Sequence, residues 1–112
     1  MAIAYGCNSA QIKTYQAQSV LSLTPGQLVL KAYDILLVAL ANRESGRACK
    51  VLAELIDALD FQYGDFPIGL FRLYRYCMEE IKKGEYEVPT KILRDLRDTW
   101  AQALAQLPDE AK

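Results

Sequence analysis

A helix that runs from Leu28 to Ala41 would be apolar on every face, because Lys31 and Asp34 are the only charged or strongly polar residues in this stretch. A helix of that kind is stable where all its faces are buried. In a four-helix bundle each helix keeps one side outward, so three neighbours do not cover it. The run is also shorter than the about 20 residues that span a bilayer. We therefore expect an additional cover: the N-terminal residues, a second copy of the chain, or a partner.

The charged residues are distributed unevenly along the 112-residue chain. Lys13, Lys31 and Asp34 are the only charged side chains before Arg43, although charged residues make up 24% of the whole chain. A domain in water must bury such a charge-poor region or use it as a binding surface. The N-terminal third is therefore where we expect a partner, and an apolar surface there suits an amphipathic helix bound in a groove.

Helix start and stop signals divide the chain into four helical segments. The sequence Thr24-Pro25-Gly26-Gln27 combines an N-cap residue, a proline in the first turn and a capping box. Ser45 and Asp65 are predicted caps of the second and third helices, Gly84 ends the third, and Trp100 lies on the apolar stripe of the fourth and is assigned to the core. The predicted fold is all-α, an antiparallel four-helix bundle with an extended N-terminal arm, since short connections make successive helices antiparallel. The predicted helices cover about 25–43, 47–61, 66–83 and 88–107, and the predicted parts of the chain are the arm at 1–23, one bundle domain at 24–107 and a C-terminal tail at 108–112.

The composition argues against several classes of function. Histidine is absent, so the commonest general base and the commonest metal ligand are missing, and no glycine-rich phosphate-binding motif occurs. We expect neither an enzyme nor a cofactor or metal site. The net charge of −1 gives no basic surface for nucleic acid. Three widely spaced cysteines and a start without a signal sequence favour a cytoplasmic protein that does not insert into membranes.

Short motifs from about residue 12 to residue 104 resemble those of a known family. The most specific block is Thr24-Pro25-x-x-Leu28-Val29-x-x-x-Tyr33-Asp34. The motifs around it, in chain order, are Tyr15-Gln16-x-x-Ser19-Val20 before the block and Leu59-Asp60, Leu70-x-x-Leu73-Tyr74-x-Tyr76 and Leu93-x-x-Leu96-Arg97-x-x-Trp100 after it. In this order they are similar to the motifs of the flagellin-specific export chaperones of the FliS type.

The resemblance implies a cytoplasmic four-helix bundle that binds newly made flagellin before its export through the flagellar type III apparatus. Such a chaperone holds the disordered C-terminal region of flagellin as helices in apolar grooves and prevents premature polymerisation. Components of the export apparatus are further implied partners, and the N-terminal arm is expected to occupy part of the groove and to move aside. Ile12 and Tyr15 match anchor positions of the arm, and Tyr33-Asp34 match the motif of the first helix. The expected partner-binding residues are Ile12, Tyr15, Leu28, Tyr33, Asp34, Leu37, Leu73 and Tyr74.

The chain departs from the family pattern between two of these motifs. Tyr33 and Asp60 are only 27 positions apart, whereas family members commonly have a longer stretch there. We therefore expect the first helical hairpin to be truncated at its tip, Glu44–Arg47, which affects contacts with accessory partners. Two alternatives stay open: a homodimeric helical-bundle structural or adaptor protein whose first helices cover each other, and a chaperone of another exported filament protein.

Overall fold

The computed structural model describes residues 23–108, which form four α-helices and one short 3₁₀-helix. The four helices are α1 (Pro25–Ala41), α2 (Ser45–Asp57), α3 (Asp65–Lys82) and α4 (Glu87–Ala105), and the 3₁₀-helix is Phe61–Tyr63. No strand occurs within this part of the chain. The predicted all-α four-helix bundle is therefore confirmed. The predicted arm lies outside the described residues, apart from Leu23.

The start of α1 is the one that the sequence predicts. The Thr24 hydroxyl accepts a hydrogen bond from the backbone N–H of Gln27 at 3.2 Å, and Oε1 of Gln27 accepts one from the N–H of Thr24 at 3.0 Å. The capping box thus satisfies two N–H groups at the start of the helix, and Pro25 has no N–H to satisfy. Because these contacts are local, the sequence alone determines where the apolar run of α1 begins.

The predicted caps of α2 and α3 are wrong by one position. Ser45 is the first residue of α2, with Glu44 as its N-cap, and Asp65 is the first residue of α3, with Gly64 as its N-cap. Neither N-cap residue makes a side-chain cap hydrogen bond. The turns before the two helices contain Arg43 and Gly64 in left-handed conformation, with φ of +55° and +86°. Glycine adopts a positive φ without steric cost, whereas arginine does so less readily.

The connection between α2 and α3 contains the 3₁₀-helix, where we had predicted that the second helix continues. Oδ1 of Asp60 accepts a hydrogen bond from the N–H of Gln62 at 3.0 Å and caps this short helix. The N–H of Tyr63 then donates to the carbonyl of Asp60 at 3.2 Å. We refer to residues 57–68, from the end of α2 into the first turns of α3, as the α2–α3 corner. These two hydrogen bonds order the backbone of residues 60–63 within the corner.

The helices form a ring that is closed tightly on three sides. Nε1 of Trp100, near the end of α4, donates to the carbonyl of Gly26 at the start of α1 at 2.9 Å. Tyr86, which precedes α4, donates from its hydroxyl to the carbonyl of Arg43 after α1 at 3.4 Å, so α1 and α4 are antiparallel. α1 also packs against α2, and α2 against α3, whereas α3 and α4 touch less than these neighbouring pairs do. The bundle is therefore most open between α3 and α4.

The core contains apolar side chains from all four helices. Leu36, Leu52, Ile81 and Leu93, one from each helix, are almost completely buried. Burial of one such side chain contributes about 1.5–3 kcal/mol relative to exposure. Trp100 is half-buried and packs against this core. Among residues 23–108, no helix is long and apolar enough to cross a membrane.

The outward side of α1 is less apolar than we expected. Lys31 is exposed on it and Asp34 is half-buried. Val38, at 56% exposure, is the one large apolar side chain of α1 that is classed as exposed. At 100° per residue these three positions share one side of the helix. The two charged residues of α1 thus lie on its outward side beside Val38, and the additional cover expected for this helix stays a prediction.

Candidate partner-binding groove

The open side of the bundle, between α3 and α4, is bordered on α4 by an apolar flank. The contacts of Arg97 identify the opposite flank of this helix. Nε of Arg97 donates to Oδ1 of Asp34 at 2.9 Å, so this flank of α4 faces α1. Leu93 is fully buried and points to the centre of the bundle. At 100° per residue, Ile92 and Leu96 lie on the other flank, toward α3. Both are half-buried and pack against the core, so part of each side chain is accessible.

The facing wall is on α3. Phe71 contacts Phe61 edge to face, with ring centroids 5.9 Å apart and an interplanar angle of 83°, so this flank of α3 is on the side of the connection from α2. Cys77 is fully buried and marks the inner face. Leu73 and Tyr76 lie on the other flank, toward α4. Leu73 is half-buried and Tyr76 is 45% exposed. We refer to the space bordered by Leu73, Tyr76, Ile92 and Leu96 as the α3–α4 groove.

Two of the predicted site residues, Tyr33 and Tyr74, lie inside the bundle. Their hydroxyls are hydrogen-bonded to each other and join α1 to α3 across the ring. The two residues are only 3% and 2% exposed. Burial raises the pKa of Tyr33, and the hydrogen bond to Tyr74 opposes that shift, so the hydroxyl of Tyr33 is uncharged at neutral pH. The structure thus places this pair in the core behind the groove rather than on the accessible surface.

Asp34, a third predicted site residue, belongs to a charged contact between α1 and α4. Arg97 also donates from Nη1 to Oδ1 of Asp98, at 3.3 Å. The hydrogen bond to Asp34, followed by the one to Asp98, raises the pKa of Arg97. Because these side chains are partly in solvent, the ion pairs stabilise the fold only weakly. They mark the flank of α4 that lies beside α1, and the opposite flank faces the groove.

The other described site residues are leucines with partly accessible side chains. Leu73 borders the α3–α4 groove, and Leu37 packs against the core from α1. Leu28 is half-buried in the first turn of α1. The structure therefore brings one of the three leucines to the groove and places the other two on α1. Ile12 and Tyr15 lie outside the described residues.

Three residues that border the groove were not predicted as site residues: Tyr76, Ile92 and Leu96. Tyr76 and Leu96 occur in the motifs that carry the family resemblance, which was a usable signal. Ile92 had no such signal. Ile92 lies at the groove because the flank of α4 that carries it faces α3. The hydrophobic period of a sequence predicts which face of a helix is buried, but not which helix packs against that face.

The tip of the first hairpin, between α1 and α2, is short, and Tyr86, which precedes α4, contacts it. The guanidinium of Arg43 lies over the ring of Tyr86, 4.9 Å from its centroid. A depression of about 490 Å³ beside this tip is lined by charges of both signs, Arg43, Lys91 and Arg94 against Glu87 and Asp95. This mixture does not define a site for a ligand of one charge. Nor do the described residues contain a group of three or more His, Cys, Asp or Glu side chains arranged to hold a metal ion.

Comparison with known proteins agrees with the fold and the motifs. The family model described as flagellar protein FliS matches residues 8–107. No curated protein and no solved structure matches the chain. The family match includes all four described helices and the motif block at the start of α1. Because it spans most of the 112 residues, the chain belongs to the FliS family of flagellar chaperones.

Proposed function

We propose that this protein is a cytoplasmic chaperone that binds the C-terminal segment of flagellin before export through the flagellar type III apparatus. Its membership in the FliS family supports the chaperone role. The flagellin segment, disordered when free, becomes helical on the chaperone and cannot take part in filament assembly while it is bound. The chaperone acts stoichiometrically, without a catalytic step, and releases the segment at the export apparatus.

The α3–α4 groove is the observation that carries this proposal. An amphipathic helix has one apolar stripe, and the walls of two adjacent helices can hold that stripe between them. Leu73 and Tyr76 supply one wall, and Ile92 and Leu96 the other. Tyr76 is the most accessible of the four. Its ring has an apolar body and a polar tip, which suits a surface that is exposed to water before the partner binds.

The free energy needed for binding sets a minimum number of apolar side chains that the flagellin segment must bury on the chaperone. Ordering a disordered segment consumes roughly 2–5 kcal/mol of the interaction energy. Full burial of one large apolar side chain contributes about 1.5–3 kcal/mol. The flagellin segment must therefore insert at least two or three apolar side chains, and the four groove residues provide contacts for that number.

The predicted residues outside the groove have two proposed roles. Tyr33 and Tyr74 support α3 from inside the core, and Asp34 orients α4 through Arg97. Further contacts to a second stretch of the flagellin segment extend along α1 and the N-terminal residues. The proposed residues for these contacts are Leu28, Leu37, Ile12 and Tyr15.

Calorimetric titration of the full chain with the C-terminal segment of flagellin from the same organism tests the proposal. We expect binding together with a gain of helix in circular dichroism. Tyr76→Ser should weaken binding about ten-fold, as loss of an aromatic contact at an interface does. Tyr63→Ser is the matched control, since it removes an exposed aromatic side chain from the α2–α3 corner and not from the groove or α1. A dissociation constant above about 100 μM, or binding without helix gain, would refute the proposal.

Two further outcomes separate the alternatives. Tight binding to the terminal segment of another exported filament protein, without binding to flagellin, would keep the chaperone role and change the client. Sedimentation distinguishes the homodimer: a tight dimer that stays closed when the flagellin segment is added would support a structural or adaptor protein instead.

A further inference from the structure

The α2–α3 corner exposes four large apolar side chains within eight consecutive residues. Tyr63 is 80% exposed, Phe66 73%, Phe61 50% and Ile68 36%. Hydrogen bonds within the 3₁₀-helix hold this backbone: the N–H of Tyr63 donates to Asp60, and the N–H of Gly64 donates to Phe61 at 3.4 Å. The side chains are thus presented by an ordered turn. None of the four belongs to the α3–α4 groove.

The exposed area indicates the size of partner that fits. A large aromatic side chain has about 150–250 Å² to bury, so the three rings together expose on the order of 400 Å². That is as large as the largest apolar patch on a typical monomer, a kind of patch that is often functional. A stable protein–protein interface needs about 800 Å² from each partner. The corner therefore suits a short segment better than a second copy of this chain.

The charged residues of the corner itself are all acidic, and the nearest basic residues along the chain are Lys50 and Arg72. Residues 51–71 contain four carboxylates and no lysine or arginine. Within residues 23–108, none of Asp57, Asp60 and Asp65 forms an ion pair. Burial raises the pKa of Glu54, Lys50 opposes that shift, and Asp57 makes a smaller contribution that raises the pKa. A partner that brings positive charge would relieve this excess of negative charge.

The aromatic rings of this region also accept a cation. The guanidinium of Arg75, one turn further along α3, lies over the ring of Phe71, 6.0 Å from its centroid. Phe71 in turn contacts Phe61. The exposed ring faces of Tyr63 and Phe66 offer the same interaction to lysine or arginine side chains of a partner, worth about 0.5–1 kcal/mol at an exposed site.

We propose that the α2–α3 corner is a second docking site, for a short, positively charged amphipathic segment of a partner protein. The segment places apolar side chains on Tyr63 and Phe66 and its basic side chains beside Asp57 and Asp65. The N-terminal residues of this chain are a poorer occupant, because residues 1–22 carry a single charged side chain, Lys13. None of the four apolar residues of the corner is among the residues that border the groove proposed for flagellin.

The test uses the full chain and a fluorescently labelled synthetic helix of leucine and lysine, about four turns long, with a leucine–glutamate peptide of the same pattern as comparison. Fluorescence anisotropy should show binding of the lysine peptide and not of the glutamate peptide. The double variant Tyr63→Ser, Phe66→Ser should weaken binding about ten-fold. Asp57→Asn combined with Asp65→Asn should weaken it several-fold and reduce its salt dependence.

Matched variants exclude other sites. Val38→Ser and Leu107→Ser remove exposed apolar side chains elsewhere on the bundle and should leave the affinity for the lysine peptide unchanged. The proposal is overturned by any of four results: equal binding of the two peptides, no binding to the full chain, an equal loss with Leu107→Ser, or a dimer that the corner variant converts to monomer. Since all variants change exposed residues, circular dichroism should show the same helix content in each.

Discussion

The hydroxyls of Tyr33 and Tyr74 are hydrogen-bonded to each other, and replacement of either tyrosine by phenylalanine removes one of the two hydroxyl groups. Tyr33→Phe and Tyr74→Phe each keep the buried ring, so neither leaves a large cavity in the core. The residues are 3% and 2% exposed, so water does not replace the lost partner. Each variant should lower the free energy of unfolding by about 0.5–1.5 kcal/mol, the net value of one hydrogen bond. A loss of 1 kcal/mol corresponds to a decrease of roughly 4–8 °C in Tm for a domain of about this size.

Urea unfolding followed by circular dichroism gives the free energies for the wild type, both single variants and the double variant. If the hydroxyls bond to each other, the double variant is less destabilised than the sum of the single variants, by about 0.5–1.5 kcal/mol. Tyr76→Phe is the matched control, because Tyr76 lies on the same helix as Tyr74 and is 45% exposed. Its effect should stay within about 0.5 kcal/mol.

Additive single effects, or single effects below about 0.3 kcal/mol, would refute the buried hydroxyl pair. The same variants test the division between core and groove. Because both hydroxyls face the interior, Tyr33→Phe and Tyr74→Phe should leave the affinity for the flagellin segment unchanged. A variant with wild-type stability and an affinity lowered about ten-fold, or 1.4 kcal/mol, would place that tyrosine in contact with the partner.

Three further variants and one labelling measurement test other parts of the structure. Trp100→Phe removes the hydrogen bond to the carbonyl of Gly26 and should lower the free energy of unfolding by about 0.5–1.5 kcal/mol in urea. Gly84→Ala should destabilise the protein by about 1–2 kcal/mol, because φ is +83° at this position. Gly69→Ala inside α3 should stabilise it by about 0.5–1 kcal/mol, because the added methyl group meets open space. Thermal unfolding measures both effects. Burial, with a smaller contribution from a nearby carboxylate, raises the pKa of Cys77 to about 11, so iodoacetamide should label this thiol at pH 8 only after unfolding, as mass spectrometry would show. Because the folded protein keeps a proton that the unfolded chain releases, the contribution of Cys77 to stability is present below the pKa of a free thiol and is lost as pH rises toward 11.

The parts of the fold that depend on local contacts were predictable. The capping box of Thr24 and Gln27 joins residues three positions apart, so it is visible in the sequence and starts α1 where expected. The predicted caps Ser45 and Asp65 are each one position too late, because both residues already have helical geometry. Cap preferences indicate the type of residue that starts a helix, but they locate the helix end only to within one or two residues.

The candidate site was predictable only in part. Leu73 was named from the motifs and borders the groove, but Ile92, on the facing wall, was not. Tyr33 and Tyr74 were assigned to partner binding because motif residues carry no information about burial. Their placement in the core depends on the crossing of α1 and α3, which are 41 residues apart at this contact.

The sequence by itself determined that this chain is helical, where its first helix starts and which family it belongs to, because these follow from contacts between near neighbours, from hydrophobic periods and from motif order. Only the tertiary structure decided which side of the bundle is open. One flank of α4 carries Arg97, which contacts Asp34, 63 residues away in the chain, and the opposite flank faces the groove. The charge-poor first helix was expected to expose the binding surface. In the bundle its two charged residues take the outward side beside the exposed Val38, and further accessible apolar residues lie on α3, α4 and the corner before α3.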